Sequence, residues 1–383
     1  MRDRRDCNTC IRIVLRNTPV AMGWKRVRIT ANQVTLARLV LLPLPVALVY
    51  RNTHGFMLAA LAVYILLGLT DVLDGYLARK HGATALGALL DPVVDKIFLV
   101  AGFVPLADFQ IMPTTLVFIL FIRELAVTAL RSIALEEGFS FTTSSIAKLK
   151  TTIQMAGAGF ILIIWLFPEE RTIRFILLVA MAGFSVPVVA AAARRRRPGW
   201  MAWSSAVCGA AILALRWGLP TKQAIFALMS AIVAITLYSG AEYVWGMRRV
   251  LRSRFLRSPL EAARLAGLSF AVPLFYLPAL DRPDDPTFAI LGLLAAEFAA
   301  GGLDNSLVQI GSARSAMPDL LRSGIQAVCG AVVLWALLSG ARPRIALVAT
   351  LFALGVTLGD IGTRFWLHRR DFGPGMTTIR PVP

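Results

Sequence analysis

Asp71, Asp74, Asp91 and Asp95 lie close together in the stretch from Leu69 to Lys96, in a chain that is otherwise strongly apolar. On helices, the i, i+3 spacing of Asp71 and Asp74 puts both on one face, and the i, i+4 spacing of Asp91 and Asp95 does the same. A short turn around Gly82 lets the two acidic faces meet. Each acid placed in a bilayer costs ~2.5–3.5 kcal/mol, and four carboxylates at contact distance repel unless a proton or a cation joins them. All-oxygen donors select Mg²⁺, Mn²⁺ or Ca²⁺ over zinc or copper. Gly75 and Gly87 let a ligand approach the backbone closely, and Arg79 adds a fixed cation suited to a phosphate. The pattern is that of a hard-metal site that handles phosphate. The competing reading is a salt-bridged helical hairpin without a ligand, but Arg79, Lys80 and Lys96 neutralise only part of the charge.

The elements that must hold these acids are membrane helices. The chain has 383 residues, 57% hydrophobic and 16% charged. Windows of mostly apolar residues recur along it, each long enough to cross a hydrocarbon core of ~30 Å. Backbone groups in lipid must be satisfied internally, so the expected fold is an all-α polytopic bundle of about twelve spans. The aspartates fall at the end of the second window, 56–77, and the start of the third, 90–106.

The formal charge is +18, and basic clusters follow every second window, including Arg194–Arg197, Arg248–Arg257, Arg314 with Arg322, and Arg364 with Arg369; Arg342 and Arg344, on the opposite side, are the exceptions. By the positive-inside rule both termini and the acidic site are expected to face the cytoplasm. These arginines are read mainly as topology signals. Nucleic-acid binding is excluded as a function class, because no soluble domain carries the charge. Cys7 and Cys10 form a lone C-x-x-C, short of the four ligands of a structural zinc site. Residues 1–28 read as a basic, disordered cytoplasmic tail, with Met22 an alternative start. A membrane domain spans 29–256, a four-helix extension 257–370 and a tail 371–383. Within the extension Glu297, Asp304 and Asp360 stand out; the two aspartates sit near window ends, where water or a helix terminus would satisfy them. Gly209–Ala211 and Gly301–Gly302 permit close helix packing, and a homodimer is a candidate assembly.

The order Asp71-x-x-Asp74-Gly75-x-x-Ala78-Arg79, then Gly87-x-x-x-Asp91-x-x-x-Asp95, resembles the signature of the CDP-alcohol phosphatidyltransferase family (class I). The gap from Arg79 to Gly87 is one residue shorter than the family pattern. "ITANQVTLARLVLLP", with Asn32, Thr35 and Arg38, resembles the family's first helix. "FIRELAVTALR", "AKLKTTIQ" and the Tyr243 segment resemble the bacterial phosphatidylglycerophosphate synthases within it. The resembled enzymes have six spans; here a helix pair near 173–217 interrupts them, and four spans follow.

The resemblance implies a CDP-linked lipid donor, two divalent ions (Mg²⁺ or Mn²⁺) and an alcohol acceptor. It implies Asp71, Asp74, Asp91 and Asp95 as metal ligands, Asp95 also as general base, and Asn32, Thr35, Gly75, Ala78, Arg79, Thr84 and Gly87 around the CDP. The implied partners are CDP-diacylglycerol, whose tails stay in membrane lipid, and sn-glycerol 3-phosphate, a dianion for which Arg123, Arg131, Lys148 and Lys150 are candidate ligands. Arg123 lies inside a span beside Glu124, so it is expected to face the interior, with a local ion pair as the alternative. Other acceptors (phosphatidylglycerol, serine, an inositol phosphate) stay open, as do a transporter fused to a degenerate synthase and an anchor whose last spans mediate oligomerisation. The last four spans carry no acidic cluster like Asp71–Asp95 and are expected to be dispensable for chemistry.

Overall fold

The computed structural model describes residues 31–81, 85–138, 145–193, 200–276, 287–309, 316–340 and 343–369. Cys7, Cys10 and Thr84 lie outside the described residues, as do both tails. Among the described residues the regular structure is helical: α1 Ala31–Leu41, α2 Pro43–Val49, α3 His54–His81, α4 Ala85–Asp108, α5 Thr114–Glu136, α6 Ser145–Leu166, α7 Glu170–Ala193, α8 Trp200–Gly218, α9 Thr221–Arg257, α10 Pro259–Tyr276, α11 Thr287–Gln309, α12 Ala316–Leu338 and α13 Pro343–Leu367. The protein is an all-α integral membrane protein. By length and composition 6 stretches among the described residues can cross a bilayer: Asn32–Val49, His54–Asp71, Thr221–Arg257, Thr287–Gln309, Met317–Leu338 and Arg344–Leu367. Helices also occupy the other apolar windows, several of them carrying ionisable side chains, such as Asp91, Asp95 and Lys96 on α4.

The first span is split because Pro43 has no N–H to continue α1, so the chain restarts with Pro43 at the head of α2. Pro92 removes a backbone donor from α4 between Asp91 and Asp95. The core forms where α3, α4 and α6 approach closely. Tyr64 stacks on Phe98 with ring centroids 4.2 Å apart. Gly102 of α4 faces Tyr64 and Ala158, and any Cβ there would collide with both. Side chains such as Val40, Phe175, Trp335 and Val348 remain exposed, as expected of a lipid-facing surface. The inserted pair α7 and α8 packs mainly on itself.

The extension α10–α13 is not a separate lobe. Helix α10 packs on α5 and α12, and α11 packs on α4, α5 and α13. Its interior is ionic. Arg264 Nη1 lies 2.9 Å from Glu261 Oε2, and its Nε lies 3.2 Å from Asp319 Oδ2. Arg322 Nη2 lies 3.2 Å from Glu297 Oε1, and Arg322 also pairs with Asp360. Arg364 pairs with Asp304, and its Nη2 is 2.7 Å from Asp319 Oδ1. Arg264, Arg322, Glu297, Asp304 and Asp319 are all at most 3% exposed. Two sequence expectations are corrected here. Arg322 and Arg364 are not merely topology signals in a solvated loop, because their guanidinium groups are drawn inside to pair with acids. Asp304 and Asp360 are satisfied by those guanidinium groups rather than by water or a helix end.

Candidate active site

Helix α1 crosses the acidic helices and presents Thr35 and Arg38, spaced i, i+3, to them. Arg38 Nη1 donates to Asp71 Oδ1 at 2.6 Å and lies 3.5 Å from Asp95 Oδ1. Thr35 Oγ1 donates to Asp91 Oδ1 at 3.2 Å. One face of α1 therefore draws together three of the four signature aspartates, from α3 and α4. Arg38 is 2% exposed, whereas the side chains of Asp71 and Asp95 are 38% and 34% exposed, so the carboxylates open outward from a buried cation. Asn32 sits one turn before Thr35, and Gly87 is buried one turn before Asp91. Asp74, Gly75, Ala78 and Arg79 continue α3 beyond Asp71; for these, as for Lys148, only the backbone is described.

The donor set suits a hard divalent cation, since Asp71, Asp91 and Asp95 offer only oxygens. Among the described residues no three acids stand close enough to share an ion, and Arg38 is held between Asp71 and Asp95. Sequence reasoning placed Arg38 in the first-helix motif but gave it no role. Its position shows one: it offsets the repulsion between the carboxylates.

On the other side of α4 lies a second charged group. Glu124 of α5 accepts from Lys150 Nζ at 2.5 Å, from Arg123 Nη1 at 2.9 Å and from Gln154 Nε2 at 3.1 Å, all at Oε1. Lys96 Nζ lies 3.4 Å from its other oxygen and donates to Thr128 Oγ1 at 2.6 Å. Arg123 is buried, and its pairing with Glu124 is real, but Glu124 serves three cations rather than one. With three cations on one carboxylate, the group holds excess positive charge. Helix α9 closes it: Ser239 accepts from Arg123 Nη2 at 3.1 Å, and Thr236 from Gln154 at 2.9 Å. A Cβ at Gly240 would sit 2.8 Å from Arg123 Nε, so glycine is what lets α9 reach the guanidinium.

A cavity of about 210 Å³ opens beside this group. Asp95, Lys96, Arg123, Arg131 and Lys150 line it. Of the expected acceptor ligands, Arg123 and Lys150 are buried in its wall and Arg131 is exposed at its edge. Asp95 is shared: it takes part in the aspartate cluster and faces the basic cavity, with Lys96 beside it in sequence. Lys96 was missed as a site residue because it reads as a counter-ion to the aspartates; its pairing with α5 became visible only in three dimensions.

The fold and this pairing of an acidic cluster with a basic cavity define a polytopic membrane protein equipped for phosphoryl chemistry. A family model described as CDP-alcohol phosphatidyltransferase matches residues 28–187. The chain is 37% identical over 126 residues to a CDP-diacylglycerol–glycerol-3-phosphate 3-phosphatidyltransferase of Wigglesworthia glossinidia brevipalpis, covering 32% of this chain and 69% of that protein. It is 35% identical over 153 residues to the Haemophilus influenzae protein of the same name, covering 39% and 82% respectively. It is 34% identical over 164 residues to a probable phosphatidylglycerophosphate synthase of Mycobacterium tuberculosis, covering 42% and 76%. The chain belongs to the CDP-alcohol phosphatidyltransferase family. No solved structure matches it. The family match ends within α7, so the extension lies beyond it.

Proposed function

We propose that the protein transfers a phosphatidyl group from CDP-diacylglycerol to sn-glycerol 3-phosphate, giving phosphatidylglycerophosphate and CMP. The observation that carries the reading is the position of Asp95, where the acidic cluster meets a cavity walled by Lys96, Arg123 and Lys150. A phosphorylated acceptor matches that excess of positive charge; serine, with no phosphate, does not. The names of the relatives, two of them glycerol-3-phosphate phosphatidyltransferases, point the same way.

In this reading the acceptor's phosphate rests on the cations around Glu124, and its hydroxyl is turned toward Asp95. Asp95 takes the hydroxyl proton as the oxygen attacks the lipid-bearing phosphorus, and the bond from that phosphorus to CMP breaks. A carboxylate is a weak base for an alcohol, so holding the two reactants in line supplies much of the acceleration. Asp71, Asp74 and Asp91, with Asp95 at their edge, would hold Mg²⁺ or Mn²⁺, two ions in all. Charge on the pyrophosphate and on departing CMP would be offset by divalent ions bound there. Arg38 keeps the carboxylates gathered, and the signature assigns CDP binding to Asn32, Thr35, Gly75, Ala78, Arg79, Thr84 and Gly87. The lipid tails stay in the bilayer. The site faces the cytoplasm of a bacterial inner membrane, a placement supported by the basic clusters that follow alternate apolar windows.

The test is an assay of the purified protein with radiolabelled CDP-diacylglycerol and a panel of acceptors: glycerol 3-phosphate, inositol phosphate, serine and phosphatidylglycerol. CMP release and labelled phosphatidylglycerophosphate with glycerol 3-phosphate, abolished by a chelator, are the expected result. Transfer to another acceptor alone would reject the assignment of substrate.

A further inference from the structure

We propose that two Trp–Arg pairs, Trp245 with Arg248 on α9 and Trp366 with Arg369 on α13, hold the phosphates of anionic phospholipid headgroups in the leaflet that the aspartate site adjoins. Both pairs come from one sequence pattern, W-x-x-R-R: Trp245-x-x-Arg248-Arg249 and Trp366-x-x-Arg369-Arg370.

The two motifs follow the same length of helix. Trp245 stands about 24 residues past the start of α9 at Thr221, and Trp366 about 23 residues past the start of α13 at Pro343, roughly 35 Å of helix in each case. That is a little more than the ~30 Å hydrocarbon core, so each tryptophan emerges where bilayer meets water, the level that indole rings favour. Both motifs lie on the side of the aspartates. Arg254, beyond Trp245, pairs with Glu136 at the end of α5, whose Arg131 edges the basic cavity. Arg364, just before Trp366, pairs with Asp304 of α11, and Gly302 of that helix abuts Val93, between Asp91 and Asp95.

The pairs are also built alike. Trp245 is 70% exposed and Trp366 61%. The Arg248 guanidinium lies over the Trp245 ring, 4.5 Å from its centroid, and the Arg369 guanidinium over the Trp366 ring at 4.4 Å. In each pair the arginine's Nη1 donates to the backbone carbonyl of its tryptophan, at 2.9 Å and 2.8 Å. Ring and carbonyl hold the guanidinium in place, and both arginines remain exposed with N–H groups to spare. Among the described residues neither guanidinium has a carboxylate partner.

A third pair gives the contrast. Near the start of α9, Arg174 of α7 lies 4.8 Å from the Trp217 ring of α8, but its Nη2 is also 3.0 Å from Glu170 Oε2. There the charge is answered from within the chain; on the side of the aspartates it is not. On α9 the excess is extended by Arg249 and Arg252, both exposed, while Met247 and Leu251 on the opposite face pack with Leu130 and Ile133 of α5. A helix anchored by its apolar face presents its arginines to the headgroups. An anionic lipid brings the missing charge, and its phosphate accepts parallel N–H bonds from a guanidinium. A zwitterionic lipid carries its own cation and gains less. No residue of either pair lines the cavity or touches the aspartates, so this binding is separate from the transfer reaction.

The experiment follows tryptophan fluorescence of the full-length protein in phosphatidylcholine vesicles doped with either brominated phosphatidylglycerol or brominated phosphatidylcholine. The signal of interest is the part of the emission that Trp245→Phe with Trp366→Phe removes. Wild type is expected to prefer phosphatidylglycerol about fivefold at low salt, the scale on which one basic residue acts at an anionic surface, and to lose most of that preference at high salt. Arg248→Gln with Arg369→Gln is expected to be quenched equally by the two lipids, with thermal unfolding in detergent unchanged. Arg174→Gln is expected to keep the preference. Equal quenching of wild type by the two lipids, or a preference that survives loss of both arginines, overturns the proposal, and neither result bears on transfer to glycerol 3-phosphate.

Discussion

Two groups of buried charge sit side by side in this bundle, and they are built differently. In the extension each of Glu261, Glu297, Asp304, Asp319 and Asp360 has a guanidinium partner, and the gap between Arg322 and Thr128 is about 10 Å³, too little for more than a water. Those five acids share three arginines, Arg264, Arg322 and Arg364, so neither group is neutral; around Glu124 the excess is positive, and it borders open space. Three cations converge on one carboxylate beside about 210 Å³ of open space, and across α4 two half-exposed aspartates share one arginine. A closed, paired network locks helices together. One whose excess positive charge borders a void is poised to receive an anionic ligand, since the ligand's charge can complete it.

That contrast can be broken most sharply at the acids. Asp91→Asn is expected to reduce transfer at least ~10³-fold, the scale on which removal of a group acting on the reacting charge is felt, while the protein still inserts in the membrane; CMP release and fractionation measure the two. A chelator should do the same to wild type, and full activity under excess chelator would contradict the metal assignment. Next in size is the lock. Arg322→Ala leaves Glu297 without its guanidinium and Asp360 with Arg364 alone, and is expected to cost ~3–5 kcal/mol of stability, the usual penalty for breaking a buried pair. Thermal unfolding in detergent would report it, with KM for both substrates unchanged in the protein that remains folded. A KM effect as large as the loss of stability would mean that the two groups are not separate.

Lys150→Ala tests the unbalanced group from its basic side. A hydrogen bond to a charged group is worth ~1.5–3 kcal/mol, so KM for glycerol 3-phosphate is expected to rise about tenfold to a hundredfold, with little change for CDP-diacylglycerol. The smallest effect is expected at Thr35→Val, which removes one neutral donor from Asp91. A loss of about fivefold in kcat/KM, near 1 kcal/mol, would fit.

The sequence made the acids legible because carboxylates in an apolar chain are costly, and their i, i+3 and i, i+4 spacing fixes which faces they share. The helices were legible for the same reason, since apolar windows leave few alternatives in lipid. Partners across helices were not. Arg322 and Arg364 carry the same formal charge as any loop arginine, and counting basic residues cannot see that Asp360, Asp304 and Asp319 pull them inside. Lys96 looked like a counter-ion for its neighbours on α4, yet it turns to Glu124 and Thr128 on α5. Phe298 and Gly302 are ordinary residues of an apolar helix, distant in sequence from the signature. Nothing in their spacing says which helix they face, so the last four spans read as dispensable although α11 lines the cavity.

The central claim is that Asp95 joins donor and acceptor chemistry, and the most direct measurement is a paired assay on Asp95→Asn. Binding of CDP-diacylglycerol would be followed by CMP competition, and transfer by a single turnover with glycerol 3-phosphate. The account predicts near-normal donor binding with transfer lost. A variant that fails to bind the donor, yet transfers whatever it captures at the wild-type rate, would make Asp95 a ligand-holding residue only and contradict the account.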